Sequence, residues 1–140
     1  MIDIENKVID TVTAAFVTAQ KNITVSSEFV ERPSKFPYCF IQQTSNVALQ
    51  KTFDERPTEN HVTVRFRIEI YSNRKGLART EVKRLMQIAD GAMQNMKFTR
   101  TSYNFLPNYD ASVVRARADY YAIVGRPQTI NNKTVYQMYR

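Results

Sequence analysis

The chain has 140 residues, which suits one domain whose core is large enough to need no disulfide or metal. Its single cysteine, Cys39, excludes an internal disulfide and a paired-cysteine metal site. The formal net charge of +7 comes from scattered lysines and arginines rather than a basic tail, and no apolar run reaches the ~18 residues of a membrane span.

The first elements are a helix and a strand. Residues 3–20 carry apolar side chains near the helical period, with Asp3 and Glu5 in the first turn, where the helix dipole favours negative charge. Two prolines then keep residues 23–37 extended, because proline disfavours helix at the residue before it. The run YCFIQQT, residues 38–44, predicts a strand.

Residues 46–60 are too polar for a central strand, yet part of the segment alternates with a period of two. Its alternating positions are Val47, Leu49, Lys51 and Phe53. A loop of this length inside a compact domain is usually functional or disordered. An arm that meets a partner and an ordinary surface loop are equally good interpretations.

The next strand and helix have the clearest patterns in the chain. Residues 62–71 alternate, with valine, phenylalanine and isoleucine on one side and Thr63, Arg65, Arg67, Glu69 and Tyr71 on the other. Residues 76–96 carry one apolar stripe, typical of a helix packed on a core: Val82, Leu85, Met86, Ala89, Ala92, Met93 and Met96.

Two further strands follow. Residues 97–107 return to a period of two, and residues 112–124 alternate over their whole length. The outer side of the second strand repeats the earlier pattern, with Arg115, Arg117, Asp119 and Tyr121. Its inner side includes the small residues Ala116 and Ala118, which allow a helix to pack closely.

This order of elements predicts an α+β domain of two layers, in which two helices cover one face of a mainly antiparallel sheet. We expect residues 1–125 to form that domain. Residues 126–140 would be a C-terminal extension or an edge strand.

Side chains that would indicate catalysis are scarce. A lone histidine, His61, stands at the head of a strand, and three glycines in the whole chain form no phosphate-binding loop. No serine lies in a nucleophile-elbow pattern. We therefore expect a binding or structural protein rather than an enzyme, with no catalytic, cofactor-binding or metal-binding residues.

The arginine-bearing sides of the two strands are the candidate functional surface, if the strands are neighbours. One interpretation is phosphate binding, although sheets that bind nucleic acid carry aromatic residues where this chain has arginines. A second is contact with another protein subunit, where arginine and tyrosine are enriched. A third is a solvated face whose charges pair locally and contribute little.

Three motifs in order resemble the tail terminator, or tail completion, proteins of long-tailed bacteriophages. They are FPYCFIQQTSN (36–46), RIEIYSN (67–73) followed at once by a helix, and the strand pair MKFTRTSYNFLPNYDASVVRARADYYAIV (96–124). The resemblance covers residues 1–125 and leaves residues 126–140 unmatched.

The resemblance implies a small α+β subunit that closes into a ring, usually a hexamer, without catalysis or a cofactor. The ring would end polymerisation of the tail tube protein and offer a surface to the head-side connector protein. DNA would pass through its lumen without sequence-specific binding, and there would be no membrane partner. The ring would be assembled in the host cytoplasm and lie at the head-proximal end of the virion tail.

Carried over to this chain, the segment 46–60 would be an arm that meets a neighbour or the tube. The arginines at 65, 67, 115 and 117, with Glu69, Asp119 and Tyr121, would face a subunit interface or the lumen. The alternatives are a head-tail connector or tube subunit, and a basic nucleic-acid-binding domain suggested by the net charge.

Overall fold

A computed structural model describes residues 1–49, 61–107 and 110–139. Within these ranges the chain forms two helices, α1 (Glu5–Thr18) and α2 (Ala78–Asn95). The strands are β1 (Thr24–Ser26), β2 (Tyr38–Ala48), β3 (His61–Ser72), β4 (Thr99–Leu106), β5 (Val114–Gly125), β6 (Gln128–Ile130), β7 (Lys133–Val135) and β8 (Met138–Tyr139). The predicted α+β class is confirmed.

The main sheet has the strand order β1-β2-β3-β5-β4, and β8 adds to the far end of β5. Only β1 and β2 pair in parallel; the other neighbours in this sheet are antiparallel. The two arginine-bearing strands, β3 and β5, pair directly over twelve residue pairs, from His61 opposite Gly125 to Ser72 opposite Val114.

The core lies between the helices and one face of this sheet. Alternate residues of β3 and β5 are fully buried there, because a strand turns every second side chain to the same side. Phe66 of β3 packs edge-to-face against Phe98, with ring centroids 5.6 Å apart. Tyr120 of β5 reaches α2, where its hydroxyl donates a 2.6 Å hydrogen bond to Asp90 Oδ1.

Both helices end in the same way. Gln20 and Lys97 follow the last turns with φ of 58° and 69°, the left-handed conformation that commonly ends a helix. The Phe98 N–H then donates to the Met93 carbonyl at 3.0 Å, and the buried Phe98 ring leads the chain into β4. This reversal sets β4 beside β5, at the edge of the sheet.

A second, smaller apolar cluster lies on the other face. Residues 27–37 cross one end of that face, and Phe36 packs there against Tyr38, Phe40 and Tyr71. The Phe29 ring meets Phe40 edge-to-face at 5.9 Å. The prolines of this segment were predicted only to keep it extended; the segment also covers part of the sheet.

One predicted boundary was wrong, and one segment had more structure than expected. Asn46–Ala48 do not begin a projecting arm but continue β2, and Val47 lies opposite Thr63 of β3. The rest of the predicted arm, including Lys51 and Phe53, falls outside the described residues. In the C-terminal segment, β8 extends the sheet as an edge strand, while β6 and β7 form a separate hairpin that the sequence did not predict.

Candidate interaction face

The helices leave one side of the sheet uncovered, and the charged residues of β3 and β5 meet on it. We call this surface the arginine face; it comprises Arg65, Arg67, Glu69, Arg115, Arg117, Asp119 and Tyr121. The register sets Arg65 opposite Tyr121, Arg67 opposite Asp119 and Glu69 opposite Arg117. The sequence pattern therefore identified residues that lie side by side in the structure.

Arg67 and Asp119 form the centre of the face. The guanidinium Nε lies 2.9 Å from Asp119 Oδ1. The hydroxyl of Ser102, on β4, donates to the other carboxylate oxygen at 3.1 Å. Asp119 thus links three neighbouring strands, and Ser102 is a residue of the site that the sequence analysis missed.

Ser102 was missed because the pairing of β4 with β5 shifts between Arg100 and Ser102. Such an irregularity changes which side chains point to a given face. The alternation of residues 97–107 gives no sign of the shift, so no sequence signal identifies Ser102.

Two arginines of the face have no carboxylate partner among the described residues. Arg65 is exposed, and its guanidinium carbon lies 5.7 Å from the centre of the Tyr121 ring, a cation–π distance. Arg117 is half-buried and stands opposite Glu69 in the register, yet no ion pair joins their charges. These guanidinium groups keep hydrogen-bond donors available to a partner.

The end of the face next to residues 27–37 is closed rather than open. Glu69 and Tyr71 were expected to be outward-facing, but Glu69 is 6% exposed and Tyr71 is 1% exposed. The Tyr71 hydroxyl donates to Glu69 Oε2 at 3.0 Å. The reason is the apolar cluster above them, whose rings displace water from this part of the sheet.

Arg115 stands at the border between the covered and the uncovered parts. Its guanidinium carbon lies 5.9 Å from the centre of the Tyr71 ring, and its Nε is buried with no hydrogen-bond acceptor in the described part of the chain. Burial raises the pKa of Tyr71 to about 12, the negative charge of Glu69 adds to the rise, and Arg115 opposes it. The Tyr71 hydroxyl therefore stays protonated and donates to Glu69 at neutral pH.

The face as a whole carries four guanidinium groups and two carboxylates. The Asp119 carboxylate is already bound by Arg67, and the Glu69 carboxylate accepts a hydrogen bond from Tyr71. The face therefore has more positive than negative groups. Guanidinium groups bind carboxylates and phosphates through charge-assisted hydrogen bonds, often two at once. The guanidinium groups of this surface are therefore chemically able to bind carboxylates or phosphates.

The other residues singled out by the sequence lie elsewhere. His61 begins β3, with its ring 5.7 Å from that of Tyr139, and Val47 lies on the uncovered side of β2. Cys39 is fully buried beneath the helices, and burial raises the pKa of its thiol. No group of three potential metal ligands occurs among the described residues, and no helix there has the length and apolarity to cross a membrane.

Neither the protein-family models nor the curated proteins give a significant match to the chain.

Proposed function

We propose that this protein is a structural subunit of a bacteriophage tail, which closes into a ring, ends polymerisation of the tail tube and joins the tail to the head-side connector. The observation that supports this proposal is the arginine face, which the fold builds across two central strands and whose guanidinium groups outnumber their acidic partners in the described part of the chain. The motifs that resemble tail terminators lie in β2, in β3 with the following α2, and in the pair β4–β5.

Within such a ring, the arginine face lines the opening. The chain carries a formal charge of +7, so a second copy offers mostly like charge to Arg65 and Arg117. DNA phosphates passing through the opening neutralise these groups without any need for base recognition. The helices, on the opposite side of the sheet, then form the outer wall.

The direct test is tail assembly in cells that lack the protein. Tails of uncontrolled length in its absence support the proposal, and finished tails of normal length contradict it. Negative-stain images of the particles provide the measurement. In wild-type particles the protein lies at the head-proximal end of the tail.

The role of the arginine face is tested separately with Arg65→Glu/Arg117→Glu. We expect this variant to end tails at the normal length but to lose infectious particles, because two acidic groups repel DNA at the opening. The matched control is Lys83→Glu/Arg84→Glu, an equal charge change on the exposed side of α2. Equal infectivity of the two variants contradicts a lumen position for the face.

Arg65 and Arg117, which lack a carboxylate partner among the residues that the structure describes, also favour a second candidate, a nucleic-acid-binding domain. Such a domain binds free DNA tightly at ~50 mM salt and weakens steeply as salt rises. A terminator subunit shows no tight binding under these conditions. Indefinite fibres from the purified protein would instead identify a tube subunit.

A further inference from the structure

The C-terminal hairpin, Gln128–Val135, is a structure without a core of its own. Its two strands pair through three residue pairs, and all six strand residues are exposed. Ile130 is 49% exposed and Val135 is 38% exposed. A lone two-stranded hairpin is marginally stable in water, and exposed apolar side chains of this kind gain from a partner.

The base of the hairpin is nevertheless fixed to the domain. The Gly125 N–H donates to the Gln137 carbonyl at 2.8 Å, and Met138 of β8 is buried beside β5. The Tyr136 hydroxyl donates to the Asp3 carbonyl at 3.1 Å. The turn residues Asn131 and Asn132 have φ of 52° and 62°, as the tight hairpin turn with two left-handed residues requires. The hairpin therefore projects in a defined direction.

A cavity lies at the opposite end of the sheet. We call it the end cleft; it has a volume of about 400 Å³ and is bounded by residues 31–36 and by the segment that leads into β5. Its wall includes Glu31, Phe36, Asp110, Ala111 and Val113. The cleft and the hairpin lie beyond opposite ends of β5, whose twelve residues place its two ends roughly 36 Å apart at about 3.3 Å per step.

The C-terminal hairpin and the end cleft are complementary in charge and polarity. Residues 126–139 include Arg126 and Lys133 and no acidic residue. The end cleft presents the carboxylates of Glu31 and Asp110 against the single guanidinium of Arg32. Hydrogen bonds from the backbone and hydroxyl of Ser112 hold the pKa of Asp110 below its usual value, so it is charged at neutral pH. Ile130 and Val135 match the apolar side chains of Phe36 and Val113 in the cleft.

We propose that the hairpin of one copy docks into the end cleft of the next copy, with Lys133 directed at Glu31 and Asp110. The contact rests on the proposed ring function, which requires a head-to-tail interface between identical subunits. Because the hairpin and the end cleft lie at opposite ends of the same sheet, the hairpin of one copy cannot reach the cleft of that same copy. Copies joined in this way form a closed ring when the rotation between them closes.

Cysteine cross-linking tests the contact directly. Cys39 is buried and contributes no accessible thiol, so each introduced cysteine is the only reactive one. We expect Thr134→Cys protein, with the substitution at an exposed strand position of the hairpin, mixed with Ala111→Cys protein to give a disulfide-linked dimer under oxidation. The chain that carries both substitutions should give a ladder of higher oligomers, because each copy then has two linkable ends.

The control mixture pairs Thr134→Cys with Gln87→Cys, an exposed position on α2. A yield no higher than in this control overturns the proposed contact. If the cross-link yield does not exceed the control, but tails assembled without the protein reach uncontrolled lengths, the docking inference fails and the tail function stands. If the cross-link forms but such tails are normal, the tail function fails and the contact stands.

A charge exchange supplies the second test. Lys133→Glu should lower the yield of the mixed dimer about fivefold, because it places a negative charge against the carboxylates of the cleft. Adding Glu31→Lys to the Ala111→Cys partner should restore most of the yield. Both positions are exposed, so the changes leave the fold intact, and thermal unfolding checks this. An unchanged yield with Lys133→Glu contradicts the assignment of the cleft.

Discussion

Arg67 and Asp119 join the two central strands of the sheet through a 2.9 Å contact on its uncovered side. Their side chains are 34% and 28% exposed, so the solvent exposure of this ion pair is intermediate between that of a surface pair and that of a buried pair. Ser102 holds the second oxygen of Asp119, and the carboxylate cannot turn away without breaking that bond. The centre of the arginine face is therefore fixed by the fold before any partner binds.

A double-mutant cycle measures this pair. We expect Arg67→Ala and Asp119→Ala each to lower the free energy of unfolding, with a coupling of about 1 kcal/mol, at the upper end for partly exposed pairs. Urea denaturation of the two single variants and the double variant gives the value. Arg65→Ala is the matched control and should change stability by less than ~0.5 kcal/mol, since Arg65 has no carboxylate partner among the described residues. A coupling of zero contradicts the structural role of the pair.

Tyr120 should make the protein sensitive to alkali. Burial, then the hydrogen bond to Asp90, raise the pKa of this hydroxyl far above that of the unfolded chain. The protonated hydroxyl therefore stabilises the fold below pH ~10, and this stability is lost as the pH rises above that value. The free energy of unfolding should fall by up to about 1.4 kcal/mol per pH unit there from this residue.

The variant Tyr120→Phe separates this effect from general alkaline instability. It should be less stable than wild type by about 1 kcal/mol at neutral pH, because the bond to Asp90 is gone. Its disadvantage should shrink as the pH rises above ~10, since it cannot ionise. Chemical denaturation across that range provides the measurement, with the exposed Tyr139→Phe as control. A constant difference at all pH values would refute the interpretation.

Adjacent positions on β5 should tolerate leucine very differently. Ala118 is fully buried between the sheet and the helices, so Ala118→Leu overpacks the core and should cost about 1–3 kcal/mol. Arg117→Leu, the next position on the opposite face, should change stability by less than ~0.5 kcal/mol. Thermal or urea unfolding compares the two. Similar losses of stability in the two variants would mean that the helices do not pack closely on β5.

The thiol of Cys39 should react only when the protein unfolds. The residue is 0% exposed, and burial raises its pKa, which removes both access and the reactive thiolate at neutral pH. A colorimetric thiol reagent should therefore label the native protein at the rate of unfolding and label the urea-unfolded protein at once. Rapid labelling of the native protein would show that β2 is open beneath the helices.

Parts of the fold were predictable because they follow from local chemistry. The alternation in β3 and β5 needs only the geometry of a strand with one buried face, and it correctly assigned the seven residues of the arginine face to one side. The apolar stripe of α2 likewise follows from the helical period. In both cases the pattern of side chains is itself the cause of the structure.

Contacts between segments distant in sequence were not predictable. The covering of Glu69 and Tyr71 depends on residues 27–37 folding back over the sheet, and the role of Ser102 depends on an irregular strand pairing. The sequence of residues 126–140 predicted no more than an extension or an edge strand. Only the structure shows a hairpin whose base is held by Tyr136 and β8.

The sequence by itself determined which side chains share one side of β3, β5 and α2, because that choice depends on the repeat of one helix or strand. The tertiary structure alone decided which charged groups find partners. Arg67 is paired, while Arg65 and Arg117 have no carboxylate partner among the described residues, and this difference arises from strand register, which is set by contacts between strands far apart in the chain.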